Sequence, residues 1–312
     1  MKAIEVLNVS KYFFVDGFLQ PKMRVLEDLT FDIESGQNVA IIGPNGCGKT
    51  TLLKTIATIY MPDEGSIKVF GNDIKDNIER ARNAFSFVSP ALNFQAKLTL
   101  RQTMKFFGRV LDKRPDYIMP FLKRMGIDNM MDSRLEGFSE GQKAMVRLAI
   151  GFIKNPRILM LDEVVANLDM ERKERVINFI LEEDELKDLT ILMVDHDPHV
   201  VDRLCDKIII LDKGGKMYKM VSVPELLNAI EYRFNITVTL KKDMSDQEIE
   251  KISSLYTRYG PKIRYFAHNE AEVVSITQSI LEKSDRVLEL ATNEVSLKDV
   301  YFLMMEGELG KF

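Results

Sequence analysis

The chain has 312 residues, 46% of them hydrophobic and 29% charged, with a formal net charge of −4, enough for a sizeable core in two domains or one large domain with an appendage. No apolar run approaches the roughly 18–20 residues of a membrane-spanning helix, and Glu5 interrupts any signal-like stretch at the N-terminus, so a cytoplasmic protein is expected. Two cysteines, Cys47 and Cys205, exclude a disulfide framework and lack metal-ligand spacing, while the acidic balance argues against a dedicated nucleic-acid binder.

Charge is unevenly spread. Between Arg80 and Arg134 eleven Lys/Arg oppose four Asp/Glu, so that stretch is +7 and the remainder −11. Such a stretch is either a solvated helical face or a surface turned to anionic lipid or an acidic partner.

In chain order, residues 3–14, 25–33 and 66–70 read as antiparallel strands, with a Pro62-Asp63-Glu64-Gly65 turn before the third. Residues 38–42, 157–161, 190–194 and 207–211 are continuous apolar runs, as expected of parallel strands covered on both faces. Helices are expected over 49–60, over 99–131 with breaks near Pro115 and Gly126, and over 139–154. After about residue 223 the character changes: strand 234–240, helix 246–259, strand 262–268, helix 271–283, strand 286–291 and helix 297–305 read as a small α/β sandwich.

Three motifs carry chemistry. Gly43-Pro44-Asn45-Gly46-Cys47-Gly48-Lys49-Thr50, followed by Thr51, leaves an apolar strand and opens a helix, fitting the phosphate-loop pattern G-x-x-x-x-G-K-[ST]. Glycines let successive backbone N–H groups curl around an anion at the helix N-terminus. Lys49 would bridge the β- and γ-phosphates, and the Thr50 hydroxyl would ligate Mg²⁺. Cys47 lies in an electropositive setting that lowers a thiol pKa; the plainer reading is a small residue filling a variable position.

The second motif ends an apolar strand in Asp162-Glu163. Alternate strand residues point to opposite faces, so Asp162 is assigned to Mg²⁺, and Glu163 to orienting and deprotonating a water beyond the γ-phosphate. Taken alone, the pair could simply cap the next turn. The third motif, Phe138-Ser139-Glu140-Gly141-Gln142, reads locally as a capping box, Ser139 at the N-cap and Gln142 three residues on.

Here the sequence resembles the ABC ATPases, whose signature segment is usually L-S-G-G-Q. Ala166-Asn167-Leu168-Asp169 is similar to the family's D-loop, His196 falls where its switch histidine lies, and Tyr12 matches the aromatic that stacks on adenine. The resemblance spans about residues 1–220. It implies an α/β P-loop NTPase of the ABC ATPase type: a mainly parallel core, an antiparallel β subdomain and a helical subdomain over about 90–138. A nucleotide-binding domain at 1–222 and a small C-terminal α/β accessory domain at 223–312 are expected. It further implies ATP and Mg²⁺ as ligands, ATP hydrolysis, and a head-to-tail homodimer or heterodimer. In that dimer Ser139, Gly141 and Gln142 close on the γ-phosphate held by the other subunit. A separate transmembrane permease would be the partner, placing the chain on the cytoplasmic face of the membrane with no role for nucleic acid.

The chain departs from the family at several positions. Glu140 replaces a glycine of the signature, Val164-Val165 the common Pro-Thr, and Asp195 the usual Ser or Thr before the histidine. The Q-loop glutamine falls near Ser89-Pro90, with Gln95 too far along; a subset of exporters lacks it in a context similar to Asn93-Phe94-Gln95-Ala96-Lys97-Leu98-Thr99. The surface over residues 89–101 is the expected contact for the membrane partner. Val295-Ser296-Leu297-Lys298-Asp299-Val300-Tyr301 resembles the S-L-E-D-V-F segment of ABC-2 exporter subunits, pointing to export.

Other readings stay open. Tyr12 sits beside Phe13 and Phe14 and could be core, and His196 could be a polar strand end. His199 and His268 have no assigned function. A P-loop GTPase is excluded by the lack of an N-K-x-D segment. A chromosome ATPase is excluded because the stretch between Lys49 and Ser139 holds no sustained heptads. A soluble assembly factor or nucleotide switch without a membrane partner is the remaining rival.

Overall fold

In a computed structural model, residues 1–14, 22–114, 118–183, 186–229, 231–297 and 299–300 are described. The chain divides into two compact units, Met1–Ser222 and Val223–Phe312. Among the described residues no helix is long and apolar enough to cross a membrane.

The first unit opens with β1 (Lys2–Phe14) and β2 (Lys22–Glu34), then β3 (Asn38–Ile42) and α1 (Lys49–Ile56). β4 (Glu64–Val69), β5 (Asn72–Asp73), α2 (Ile78–Ala84) and β6 (Phe85–Val88) follow. The helical stretch is α3 (Leu100–Val110), α4 (Met119–Arg124) and α5 (Glu140–Ile153). β7 (Ile158–Asp162), α6 (Met170–Glu182), β8 (Thr190–Val194), α7 (Pro198–Leu204), β9 (Lys207–Leu211) and β10 (Met217–Ser222) complete it.

Two sheets result. An antiparallel sheet has the order β2-β1-β4-β5, and a six-stranded sheet the order β10-β9-β3-β8-β7-β6, parallel except for β10 against β9. Its interior strands β7 and β8 are buried at every residue, which is why their sequences are unbroken apolar runs. Since β3, β8 and β7 are neighbours and parallel, their carboxyl ends lie side by side. Phosphate loop, His196 and the Asp162-Glu163 pair leave from those ends, where open parallel sheets gather their ligands.

Several boundaries differ from the sequence expectation. The helix after the phosphate loop stops at Ile56, not Tyr60: Thr58 takes φ 59°, and the Ile59 and Tyr60 N–H groups both donate to Lys54 O, closing the helix early. Within 99–131 the helical pattern resolves into α3, α4 and a 3₁₀ turn at Asp128–Met130, with Gly126 at φ 66° between the last two. The break expected at Pro115 lies outside the described residues.

The second unit contains α8 (Val223–Ala229), β11 (Phe234–Leu240), α9 (Asp246–Glu250), β12 (Tyr256–Tyr259), β13 (Lys262–Ala267), α10 (Glu270–Leu281) and β14 (Val287–Glu294). From β11 onward the order is βαββαβ, in a sheet of order β12-β13-β11-β14 with every pair antiparallel, the split-βαβ arrangement. The helix expected over 246–259 is a correction. It ends at Glu250, and Tyr256–Tyr259 forms a hairpin strand with β13 across Gly260 at φ 55°, because the alternation of Tyr-Thr-Arg-Tyr suits a strand. Beyond Val300 the expected terminal helix, Tyr301 included, lies outside the described residues, as does Lys298. Asp299 is buried, paired with Arg264 at 2.8 Å and accepting from the Ser296 N–H and hydroxyl and from Asn235.

Candidate active site

The phosphate loop keeps its shape by glycine geometry. Gly48, the N-cap of α1, has φ 102°, and a Cβ there would stand 2.7 Å from Val25 O; a Cβ on Gly43, φ 151°, would stand 2.5 Å from Leu211 O. A glycine N-cap brings no side chain to the first-turn N–H groups, and that turn holds no acidic residue, so the positive helix end stays available to an anion.

Above the loop lies a cavity of about 210 Å³ lined by Val25, Asn45, Gly46, Gly48, Lys49, Thr50, Thr51 and Glu163. Lys49 is buried, and its Nζ donates to Gly43 O at 2.9 Å and Pro44 O at 3.0 Å, which pins the ammonium inside its own loop. Thr50 Oγ1 donates to Asp162 Oδ1 at 2.8 Å, bringing the first two motifs into contact across 112 positions of sequence. Burial holds the Asp162 carboxyl above its ordinary pKa, against the opposing pull of the Thr50 hydrogen bond. A hydroxyl and a buried carboxylate side by side are the hard oxygen donors that suit Mg²⁺, and a divalent cation would relieve the cost of that buried charge.

Glu163 is not the next strand residue. β7 ends at Asp162, and Glu163 turns into the left-handed region at φ 55°, its N–H donating to Val194 O at 2.9 Å. The two carboxylates part company through a backbone kink, a strained conformation for a non-glycine residue of the sort found at active sites. His196 Nε2 lies 3.1 Å from Glu163 Oε1.

Ser139, Gly141 and Gln142 are not among the residues lining this cavity. They form a complete capping box at α5: the Gln142 N–H donates to Ser139 Oγ at 3.2 Å, and the Ser139 N–H to Gln142 Oε1 at 2.9 Å. Glu140 beside them is exposed and ion-paired with Lys143 at 2.8 Å. Tyr12 does not line the cavity either. Its hydroxyl donates to Glu64 Oε1 at 3.0 Å, and its ring faces the Arg24 guanidinium at 5.4 Å.

Of the two readings of Cys47, the structure favours the plainer one, a small residue filling the loop, over a reactive thiol. Its side chain is 2% exposed, and burial pushes the thiol pKa up, outweighing Lys49 and the backbone N–H groups that pull it down. Two contributors carried no usable sequence signal. Val25, on β2, walls the cavity; Arg147 on α5 is buried, donates to Leu92 O at 3.1 Å and lies over Phe94. With Asn93, Ala96, Leu135, Glu140 and Lys143, Arg147 and Phe94 border a second cavity of about 220 Å³, beside the segment where the Q-loop departs from pattern.

A family model described as ABC transporter matches residues 26–166. The sulfate/thiosulfate import ATP-binding protein CysA of Pseudomonas syringae pv. tomato is 33% identical over 220 residues, 68% of this chain and 65% of that protein. The Nod factor export ATP-binding protein I of Burkholderia thailandensis is 28% identical over 201 residues, 62% of this chain and 64% of that protein. This chain thus spans about 65% of the length of these relatives. The more similar of the two is named for import, so the expectation of export gains no support. A solved structure of an ATP-binding subunit of an ABC transporter superposes with a TM-score of 0.62 at 25% identity, covering 72% of this chain and 92% of that one. Residues 26–166 thus match the ABC transporter family, and the Met1–Ser222 unit has the α/β P-loop fold of an ABC ATPase cassette.

Proposed function

We propose that this chain binds and hydrolyses ATP as the nucleotide-binding subunit of a membrane transporter. The observation that carries the proposal is a cavity lined by Lys49, Thr50 and Glu163 at the ends of adjacent parallel strands, with Asp162 hydrogen-bonded to Thr50 and His196 in contact with Glu163. Lys49 and the N–H groups of the loop hold the β- and γ-phosphates, and Thr50 Oγ1 with Asp162 holds Mg²⁺. When bound, the cation neutralises charge that builds on the phosphates. Glu163 takes the proton of the attacking water, and His196 fixes the orientation of that carboxylate.

Ser139, Gly141 and Gln142 stand outside the cavity and form a helix N-terminus of their own, which fits service to the γ-phosphate of a second copy or a close relative of this chain. Loss of that phosphate on hydrolysis removes the ligand joining the two halves. A separate permease at the cytoplasmic face of the membrane would use this motion. Residues 89–101 are the proposed contact, and Lys97→Glu is expected to reduce transport while sparing basal hydrolysis. The rival without a membrane partner is tested by gentle isolation from native membranes: an integral membrane protein that copurifies supports the proposal, and its reproducible absence supports the rival. For export, the segment 295–301 is the main support, to which the relatives add nothing.

A further inference from the structure

Asp195 stands where the family usually has a hydroxyl residue, and no step above uses it. It is 1% exposed, one residue past the end of β8 and one before His196. Its Oδ1 accepts the Asp197 N–H at 2.8 Å, so the carboxylate spans His196 and closes a tight turn around it. Asp197 is held from another direction. Its Oδ2 accepts from Lys173 Nζ at 2.6 Å, while its Oδ1 accepts the His199 N–H at 3.0 Å and caps α7.

Lys173 lies in the first turn of α6, where its N–H donates to Asp169 O, and Asp169 caps that helix by accepting from the Arg172 N–H. An unbroken chain of contacts therefore runs from the segment 166–169 through Lys173 and Asp197 to the turn that presents His196 to Glu163. The charged and titratable groups around Asp195 are Lys173 from α6, Glu163 from the end of β7, Asp197 from its own turn and Cys205 from the end of α7. A buried carboxylate among two other acids is costly to keep, and the contact it makes there is the one that closes the turn around His196.

We propose that Asp195 is a positioning residue that, with the Lys173–Asp197 ion pair, holds His196 against Glu163 and ties the start of α6 to the catalytic histidine. The inference rests on the role given to His196 above, so its test includes a readout independent of hydrolysis. In protein with ¹³C-labelled histidine, the His196 signal is identified by its loss in His196→Ala, with His268 in the other unit as control. Asp195→Ala is expected to displace or broaden the His196 signal and leave that of His268 in place. Asp195→Asn keeps an acceptor for the Asp197 N–H and is expected to restore the signal most of the way, and Lys173→Met to disturb it partly.

In hydrolysis assays Asp195→Ala is expected to lower kcat about tenfold with ATP affinity within about twofold, and to add nothing in a His196→Ala background. A His196 signal unmoved in Asp195→Ala overturns the proposal, and so does a kcat loss that adds fully to that of His196→Ala. A displaced signal with wild-type hydrolysis supports the tie and removes instead the catalytic role given to His196.

Discussion

His196 Nε2 stands 3.1 Å from Glu163 Oε1, one residue from the carboxyl end of β8 and the other from that of β7. Glu163 reaches this position only by leaving the strand at φ 55°. Both side chains are partly exposed, at 38% and 45%, so the contact has little packing to enforce it and depends on the turn that carries the histidine. Replacing His196 by Ala is expected to slow hydrolysis about tenfold or more without weakening ATP binding. Steady-state kcat beside equilibrium nucleotide titration checks this, and a loss confined to affinity would contradict it.

The phosphate loop is rigid at Gly48. Gly48→Ala places a Cβ 2.7 Å from Val25 O on a backbone at φ 102°, so loop or strand must shift. A strained residue of this kind costs about 1–3 kcal/mol. The variant is expected to melt earlier than wild type and to lose most ATP affinity, by calorimetry. Gly36→Ala, with open space around its Cβ and φ 79°, carries a similar backbone penalty without the collision and serves as the comparison for affinity.

Cys47 and Cys205 are both buried, and burial raises both thiols. Neither should react with an aromatic disulfide reagent in the native state at neutral pH, with or without Mg-ATP, and both should react once the chain is unfolded. Rapid modification of native Cys47, blocked by nucleotide, would restore the reactive reading.

Asp195 links activity to stability through pH. Its carboxyl is pushed up to about 6 from an ordinary 3.8, chiefly by burial. The native state therefore binds the proton more tightly than the unfolded chain, so stability falls as pH rises through that window and is flat above it. At 1.36 kcal/mol per unit the difference is about 3 kcal/mol. Asp195→Asn mimics the protonated form. It is expected to raise the melting temperature at pH 7.5 by several degrees and change it little at pH 4. Equal shifts at the two pH values would contradict this.

Much of this was legible in the sequence because the signals are local. The apolar strands of the parallel sheet, the phosphate loop at a strand-to-helix turn and the capping box at Ser139 each follow from a few adjacent residues. What escaped was set by tertiary contact or by single backbone angles. The left-handed kink at Glu163 replaced strand alternation as the reason its carboxylate diverges from that of Asp162. Thr58 ended α1 early, and a hairpin across Gly260 took Tyr256–Tyr259 from the expected helix. Burial decided the state of Cys47, where neighbouring charges suggested the opposite. For Asp195 the sequence showed only an unusual neighbour of His196; its turn and its link to Lys173 across the fold appear only in three dimensions.

The most direct test of the central claim is the ATP-dependent association of Glu163→Gln by size-exclusion chromatography. Losing a general base removes about 10²–10⁴ in rate, 3–5 kcal/mol of barrier, while glutamine keeps the shape of the side chain. Glu163→Gln is expected to bind Mg-ATP, hydrolyse it very slowly and elute as a dimer only with ATP. Adding Ser139→Arg puts a bulky group at the N-terminus of α5 and is expected to return the protein to a monomer that still binds ATP. Wild-type turnover in Glu163→Gln, or an ATP-induced dimer indifferent to Ser139→Arg, would contradict the account.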